Sequence, residues 1–452
     1  MQRSVFISLL ILLACTLMEL DFYASLGFSA AGFFAAELFF NMSTVFAFRE
    51  FLILLYAINY LFSPAISYSL GQDLFFYRMK IDPEQYFSII LPAFICLYIG
   101  LRFFKTKIFQ PDFSVIRLKA FISEQVLKQW LFAGILCYFI RPFFPGELAF
   151  FLYLISMIIY VAAFSLFNLS PNKYRRYLFL VLGLEIYGSI AAAMFHDTVM
   201  WLIFFVLFIS YTGKYSLRLK VGYSLLLVLL FLFIQSIKTE YRSRTWSGTE
   251  QAGLTTFASS SSTVLGGTEG SSIFSEGNLV SSITRVNQAW IFSSVVDRMD
   301  RVKDFQDLRL IGLYLEAAFL PRFLAPNKIT SGNKEIFNQY SGHTINQGTS
   351  MGLGIFSDGY IAFGAWGVWI FAFFFGLLFS IVFKIVESWS TISPFFILFI
   401  FPILNYAVRP DCELQTILGH LVKSTIVFGL LVAYYRRYFE REIEISQRLQ
   451  VQ

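Results

Sequence analysis

Long apolar stretches recur along the chain, and one long polar segment, Lys238 to Asp358, interrupts them. A membrane-spanning helix needs about 20 predominantly apolar residues, and about twelve stretches approach that length. They lie at 4–20, 24–46, 49–70, 84–102, 128–145, 147–168, 177–196, 197–212, 221–238, 359–383, 393–409 and 414–434. The pattern predicts an all-α polytopic membrane protein with about twelve transmembrane helices.

The same pattern divides the chain into four regions. About nine helices form an N-terminal transmembrane bundle in 1–238, about three form a C-terminal group in 359–436, and 437–452 is a cytoplasmic tail. Between the two groups lies a large loop, 239–358, which holds most of the polar side chains. We interpret this loop as the part of the chain that carries the catalytic site.

Two amphipathic helices are predicted inside the large loop. One covers 278–300, with Asn278 as its N-cap, and the other covers 306–320 and ends at Pro321. Both are too short or too polar to span a membrane, so we expect them at the interface or over the helix bundle. The Ser-rich stretch 255–272 predicts a flexible insert.

Lysine and arginine are distributed unevenly among the short loops, and cytoplasmic loops usually carry the excess. One alternate set of loops, together with the tail, is the more basic: Arg102, Lys105, Lys107, Arg117, Lys119, Lys173, Arg175, Arg176, Lys214, Arg218, Lys220, Lys384, Arg436, Arg437 and Arg441. Placing this set in the cytoplasm puts both termini inside and 239–358 outside. A loop of that length crosses regardless of its charge.

Composition agrees with a membrane location and narrows the chemistry. The chain is 57% hydrophobic and only 14% charged, against about 25% charged residues in soluble proteins. Acidic residues, Glu19 and Asp21, stand where a signal peptide would be cleaved, so 4–20 is predicted to be the first membrane helix. The four cysteines suggest neither a disulfide framework nor a metal site, and nucleotide-binding motifs are absent from the sequence. We expect no cofactor, no metal and no nucleic-acid partner.

Basic side chains at the borders of the large loop are candidate anion-binding groups. Lys238, Arg242 and Arg244 follow the helix at 221–238, and Arg409 lies in the short loop RPDCE. Paired guanidinium groups suit phosphate oxygens. The alternative is an ordinary membrane boundary, at which Lys and Arg side chains reach the headgroups.

A second set of candidates lies near the end of the large loop. Arg322 and Lys328 stand in LPRFLAPNK, where two prolines restrict the backbone, although Arg322 could instead pair with Glu316. His343, in SGHTINQGTS, and Asp358, in FSDGY, are candidate acid–base groups. The alternative for Asp358 is a helix N-cap.

Ionisable residues also occur within the predicted spans, where burial is costly and therefore favours a functional role. They are Glu37, Glu185, His420 and Lys423. His420 and Lys423 share one helix face at i, i+3. Glu185 could instead neutralise Lys423.

The segment from LPRFLAPNK to HTINQGTSMGLGIFSDGYIAFGAWGVWIFAFFFGLL resembles the Wzy-type O-antigen polymerases, which join oligosaccharide repeat units of bacterial envelopes. The matching features are Arg322 in a Pro-rich loop, the turn at 348–350, Asp358, and the helix opening at 363–367. The similarity covers 320–380. It implies the fold of the class C membrane glycosyltransferases, the GT-C type, and a location in the bacterial inner membrane.

The resemblance also implies a reaction. A growing glycan would move from one undecaprenyl-diphosphate carrier to the sugar on another at the periplasmic face, yielding a surface polysaccharide such as the O-antigen of lipopolysaccharide. The implied catalytic residues are Arg322, His343 and Asp358, and the implied substrate-binding residues are Lys238, Arg242, Arg244, Lys328 and Arg409. The implied partners are the lipid-linked donor and acceptor, membrane lipid, a chain-length regulator and a flippase.

Two alternatives remain open. His343 followed by Gly354 is similar to the histidine motif of O-antigen ligases, which would transfer the finished glycan to lipid A core. The other alternative is a transporter or flippase of the lipid-linked unit. A transporter predicts internal repeats and polar groups at mid-membrane, whereas this sequence shows no repeat and its polar residues concentrate in the loop.

Overall fold

The computed structural model describes residues 1–106, 124–212, 216–246, 250–266, 274–320, 324–330, 332–345 and 351–451. The α-helices are α1 (Gln2–Leu17), α2 (Phe22–Asn41), α3 (Phe48–Ala57), α4 (Ser63–Leu70), α5 (Pro83–Leu101), α6 (Glu124–Ile140), α7 (Gly146–Ser156), α8 (Ile158–Leu169), α9 (Pro171–Ala192), α10 (His196–Thr212), α11 (Leu217–Trp246), α12 (Leu254–Leu265), α13 (Glu276–Val286), α14 (Ala289–Val302), α15 (Arg309–Phe319), α16 (Lys334–Ser341), α17 (Ile355–Ser390), α18 (Ile400–Leu404) and α19 (Leu414–Val451). A π-helical turn, Ile58–Phe62, joins α3 to α4. Within these ranges no β-strand occurs.

Seven helical stretches of the described residues are long and apolar enough to cross a membrane. They are Phe22–Asn41, Phe48–Leu70, Pro83–Leu101, Gly146–Leu169, Leu217–Trp246, Ile355–Ser390 and Leu414–Arg437. Three apolar helices, Gln2–Leu17, His196–Tyr211 and Phe395–Leu404, are shorter. These helices fit the predicted all-α membrane protein, and the count of about twelve spans stays a prediction.

Several helix starts follow directly from the local sequence. The Asp21 carboxylate accepts a hydrogen bond from the Ala24 amide, 2.9 Å away, at the start of α2. Asp82 does the same for Gln85 at 2.7 Å, and Pro83 occupies the first turn of α5. These side chains satisfy amide groups that the first helical turn leaves without a partner.

A close helix crossing joins α5 to α17. A Cβ atom added at Gly100 would lie 2.3 Å from the Phe373 carbonyl oxygen, and one at Gly376 would lie 2.6 Å from the Leu97 carbonyl oxygen. Small residues at such a crossing let two backbones approach, which is how helices pack where lipid provides no hydrophobic driving force.

Side-chain contacts bring the large loop to the same end of the helices as several short connections. The joined pairs are Lys80 with Ser293, Gln85 with Asp300, Glu147 with Lys328, Ala193 with Arg242, and Asp197 with Arg409. We call this the loop end. The opposite end contains the ion pairs of Glu50 with Arg49 and Arg102, and of Glu124 with Lys173.

The single helix predicted over 278–300 is wrong, because the chain forms α13 and α14 with a break between them. Asn287 causes the break: its side-chain amide donates to the Ser67 hydroxyl at 3.0 Å, and its carbonyl oxygen accepts from the Ala289 amide at 3.0 Å. The N-cap is Ser275, whose hydroxyl accepts from the Asn278 amide, rather than Asn278 itself.

The flexible insert predicted over 255–272 is also wrong for its first half, which forms the helix α12. One side of α12 packs against α11 and the end of α9, where Val264 joins a buried cluster with Ile190 and Tyr241. Hydroxyl groups on α12 donate back to carbonyls of the preceding turn, as Ser261 does to Phe257 at 2.8 Å. Packing therefore overrides the low helix propensity of serine.

The helix predicted over 306–320 is confirmed as α15, and its predicted stop, Pro321, lies outside the described residues. The helix predicted over 359–383 starts earlier, at Ile355, and carries a break at Phe363 and Gly364. The break frees backbone carbonyls, and the Ile361 oxygen accepts from the Gln306 amide at 2.9 Å. The large loop is thereby tied to α17.

The span predicted over 393–409 is replaced by a short helical segment. A 3₁₀-helix, Pro394–Phe399, leads into α18, and together they reach only about 20 Å at the usual rises per residue. That length is shorter than the hydrocarbon thickness of about 30 Å. Residues 395–404 are buried by neighbouring helices, so this segment belongs to the interior of the bundle.

Candidate functional site

The connection between α18 and α19, residues 405–413, is held rigidly at the loop end. The Tyr56 hydroxyl donates to the Ala407 carbonyl, and the Tyr60 hydroxyl donates to the Pro410 carbonyl, each at 3.2 Å. On the other side a Cβ atom at Gly352 would lie 2.3 Å from the Asp411 carbonyl oxygen. This connection therefore has little freedom to move when a ligand binds.

Arg409 projects from this connection into a mostly buried position, with 16% of its side chain exposed. One terminal nitrogen lies 3.1 Å from the Asp197 carboxylate, and the guanidinium lies 4.8 Å from the centre of the Tyr406 ring. Its Nε is buried and has no hydrogen-bond partner among the described residues. A buried donor without a partner is costly, so this nitrogen is a candidate for ligand binding.

A cavity of ≈ 460 Å³ lies between α7, α15 and α19, and Tyr406, which contacts Arg409, is part of its lining. Its polar lining consists of Glu147, Lys328, Thr330, Tyr406, Gln415, Thr416, His420 and Lys423. Phe150, Phe151 and Ala317 line its apolar side. Such a cavity combines cationic groups with an apolar wall at the end of membrane-spanning helices, which suits a ligand that has an anionic head and an apolar tail.

Lys328 lies at one edge of the cavity. Its ammonium group lies 3.3 Å from the Glu147 carboxylate and donates to the Leu320 carbonyl at 2.7 Å. Its side chain is only 6% exposed. Lys423 lies deeper, about 14 Å along α19 from Leu414 at the usual helical rise, and its ammonium is 5.3 Å from the centre of the Phe150 ring.

His420 contacts both the cavity and the Arg409 region. Its Nε2 is 2.9 Å from the Pro402 carbonyl oxygen, and because a carbonyl only accepts, Nε2 carries the proton. Its Nδ1 is buried and has no partner among the described residues. The ring lies 4.7 Å from the Tyr406 ring, whose plane also contacts Arg409. In the neutral imidazole, Nδ1 is therefore a proton acceptor without a partner among the described residues.

The sequence candidates lie in several places rather than one. Lys328 lines the cavity, and Arg409 contacts the ring of Tyr406, which also lines it. Lys238 and Arg242 lie at the end of α11, where their charges interact with that of Arg285. Arg322 and the turn at 348–350 lie outside the described residues.

Arg244 is occupied by its own neighbours. Its guanidinium lies 2.7 Å from the Glu240 carboxylate and 3.6 Å from that of Glu250, and it donates to hydroxyls of α12. These contacts hold α12 against α11, so Arg244 has a structural role that requires no ligand.

His343 and Asp358 do not line the cavity. The Nε2 of His343 lies 3.0 Å from the Ser294 hydroxyl, and the ring meets Trp290 edge-on. Burial, with a smaller contribution from Lys80, lowers the pKa of His343, which favours its neutral form.

The Asp358 carboxylate is 1% exposed and accepts hydrogen bonds from the Tyr314 hydroxyl and the Leu414 amide, each at 3.0 Å. It therefore joins α15 to the start of α19. The N-cap of its own helix, proposed as an alternative role for Asp358, is Gly354.

Three residues of this region carried no clear signal in the sequence. Asp197 lies 212 positions before its partner Arg409, and Arg285 meets Lys238 only because α13 packs on α11. Glu147 follows Pro145 and Gly146 at a helix start, where an acidic residue is common and uninformative.

Residues 84–401 match the sequence profile of a family described as a domain of unknown function, DUF8712, and the chain belongs to this family. The matched region includes α7, α15 and Lys328 and ends before Arg409 and His420. No curated protein and no solved structure matches the chain.

Proposed function

We propose that this protein is a membrane glycosyltransferase that polymerises lipid-linked oligosaccharide repeat units, and that the reaction takes place in the ≈ 460 Å³ cavity. The observation that carries the proposal is the lining of this cavity, in which Lys328, Lys423 and His420 face an apolar wall. The resemblance of 320–380 to the Wzy-type polymerases supplies the reaction class. We also propose that the loop end faces the periplasm.

The reaction breaks the bond between the anomeric carbon of the donor glycan and the oxygen of its lipid diphosphate. A new bond forms between that carbon and an acceptor hydroxyl, and the electron pair of the broken bond leaves with the diphosphate. Lys328 and Lys423 supply positive charge for this leaving group. Both are partly desolvated, which strengthens their attraction to an anion.

The proton of the acceptor hydroxyl needs a base within reach. His420 meets this requirement better than His343, because its Nε2–H is fixed on the Pro402 carbonyl and its Nδ1 has no partner among the described residues. We therefore assign His420 Nδ1 as the group that receives the proton. This assignment replaces the role that the resemblance implied for His343.

The apolar tail of the carrier requires access from the bilayer. The helix α15 and the residues that flank it expose large apolar side chains: Leu308, Leu313, Leu315, Phe319, Leu320 and Leu324. Ala317 on the same helix lines the cavity, and Phe151 on α7 is partly exposed at the opposite wall. These exposed apolar faces support a lateral entrance from the lipid.

The proposal is tested in a strain that lacks the chromosomal gene and carries plasmid-borne variants. His420→Gln retains a donor for the Pro402 carbonyl but has no basic nitrogen, so we expect polymer formation to fall by about 10²-fold or more. Lys328→Gln should also reduce polymer. Lys384→Gln is the matched control, because Lys384 forms an exposed pair with Glu387 away from the cavity. Each variant must reach the membrane at the wild-type level.

The product that accumulates distinguishes the three readings. Loss of a polymerase leaves single repeat units on the final acceptor, loss of a ligase leaves long polymer on the lipid carrier, and loss of a transporter leaves unextended carrier in the cytoplasmic leaflet. A His420→Gln strain with wild-type polymer length and amount would contradict the proposal.

A further inference from the structure

Three basic side chains interact at the loop end, where α13 meets the end of α11. Lys238 and Arg242 lie one turn apart near the end of α11, and Arg285 lies on α13. The charge of Lys238 interacts with those of Arg242, Arg285 and Arg409. We call Lys238, Arg242 and Arg285 the basic cluster.

The partners of the basic cluster are neutral. The Arg242 Nε donates to the Ala193 carbonyl at 3.0 Å, and its guanidinium lies 4.1 Å from the centre of the Trp246 ring. Arg285 donates to the Thr239 hydroxyl at 3.2 Å. Across the described ranges no carboxylate forms an ion pair with any of the three, although the charge of Asp411 reaches Lys238.

This arrangement differs from a snorkelling boundary. A lysine that reaches the headgroups points away from the protein, whereas the charge of Lys238 interacts with those of Arg409 and Asp411 in the 405–413 connection. Burial lowers the pKa of Arg285, which means that its charged form is held in an unfavourable environment. Three partly buried cations that repel one another are stabilised by an anion between them.

We propose that the basic cluster binds a phosphate-bearing group at the membrane surface. Two guanidinium groups can each donate two parallel hydrogen bonds to phosphate oxygens, and the lysine adds a point charge. The Trp246 ring and the Thr239 hydroxyl hold the two guanidinium groups in place. The phosphate could belong to a lipid headgroup or to a soluble diphosphate. The site does not depend on the reaction assigned to the cavity.

The full chain, purified in detergent, is titrated with two probes while its thermal unfolding is followed. Inorganic pyrophosphate represents the soluble source, and phosphatidylglycerol in mixed micelles represents the lipid source, with phosphatidylcholine as the uncharged control. We expect at least one probe to raise the unfolding temperature saturably, and the effect to weaken as salt is added. The probe that acts identifies the source.

Two sets of variants locate the site. Arg242→Gln combined with Arg285→Gln should weaken binding by about tenfold or more, since each charge-assisted contact contributes more than a kcal/mol. Arg244→Gln is the matched control on the same helix, because Arg244 is already paired with Glu240. The part of the probe binding that the double variant loses should persist in Lys328→Gln, even though that variant impairs the reaction proposed for the cavity.

Three outcomes would overturn the inference: no saturable effect of either probe, an unchanged affinity in the double variant, or an equal loss in Arg244→Gln. An affinity lost in Lys328→Gln but kept in the double variant would move the anion to the cavity and overturn the inference as well.

Discussion

Ionised side chains at the two ends of the helices are arranged differently. At the opposite end, Glu50 is fully buried and lies 3.0 Å from Arg49 and 3.4 Å from Arg102. Arg102 also lies 3.8 Å from Glu37 and 3.5 Å from the centre of the Tyr98 ring. Two guanidinium groups thus meet two carboxylates, and the terminal ammonium of Met1 lies 3.2 Å from the Glu37 carboxylate as well. At the loop end, the basic cluster has neutral partners among the described residues.

We interpret the paired charges at the opposite end as holding the fold, and we propose that the basic cluster binds an anion. A buried ion pair is costly to break, because the remaining partner keeps an uncompensated charge. A cation without a carboxylate gains from an external anion. For the basic cluster, the lack of a carboxylate partner among the described residues supports the proposed anion site more than the charges alone do.

The largest expected effect comes from breaking the paired end. Glu50→Gln leaves Arg49 and Arg102 close together without their shared carboxylate, and we expect a loss of about 3–5 kcal/mol in unfolding free energy. Denaturant unfolding of the purified protein measures it. Lys384→Ala removes an exposed pair with Glu387 and should cost less than about 1 kcal/mol. Equal effects in the two variants would contradict the comparison.

Arg409 contacts Tyr406, which lines the cavity, and its charge interacts with that of Lys238 in the basic cluster. We expect the planar shape of its guanidinium group to matter as well as its charge. Arg409→Lys keeps the positive charge but loses the planar contact with Tyr406 and the unpartnered Nε. We expect polymer formation in the complemented strain to fall by about tenfold, with normal protein levels. Wild-type polymer from this variant would show that charge alone suffices.

A carboxylate introduced beside the basic cluster tests whether the cluster's lack of an acidic partner favours anion binding. Thr239→Glu places an acid beside Arg285, so we expect a gain of up to about 1 kcal/mol in stability together with weaker binding of the anionic probe. Ser243→Glu, exposed on the same helix, is the control and should leave probe affinity unchanged. Undiminished probe binding in Thr239→Glu would argue against a site at this cluster.

The smallest effect concerns pH. The folded protein lowers the pKa of His343, so the unfolded chain takes up a proton more readily. The stability that this residue contributes is full above the ordinary histidine pKa of about 6.5 and declines as the pH falls below it. His343→Gln should therefore show a slightly flatter stability profile between pH 7 and 5. A profile identical to that of wild type would remove His343 as a contributor.

Much of the helical framework could be predicted from the sequence, because a helix that crosses a bilayer needs a long apolar stretch. Asp21 and Asp82 cap the helices that follow them, and a cap is a local signal in the sequence. The helix starts predicted near them are confirmed. The amphipathic pattern of α15 is also a local signal, so this helix could be predicted from the sequence. Local composition gives a wrong prediction for α12. Its serines are typical of a flexible segment, but packing against α11 orders them as a helix.

The candidate site could be predicted only in part. His420 and Lys423 were recognisable as costly ionisable residues in an apolar run, and their shared face follows from helix geometry. The alternative partner suggested for Lys423 was Glu185, whereas Glu185 accepts a hydrogen bond from the Tyr160 hydroxyl. The break at Asn287 depends on Ser67, 220 positions away, so no local pattern could indicate it.

The sequence by itself determined that the chain is helical and apolar enough to enter a membrane, because those properties depend on composition and on periodicity within one segment. Only the tertiary structure decided which charges are paired. Glu50 neutralises Arg102 across 52 positions, Asp197 reaches Arg409 across 212, and the basic cluster draws on two helices that supply no carboxylate partner among the described residues. Electrostatic energy depends on the distance between charges in space, and distance in space is set by the packing of helices that are far apart in the chain.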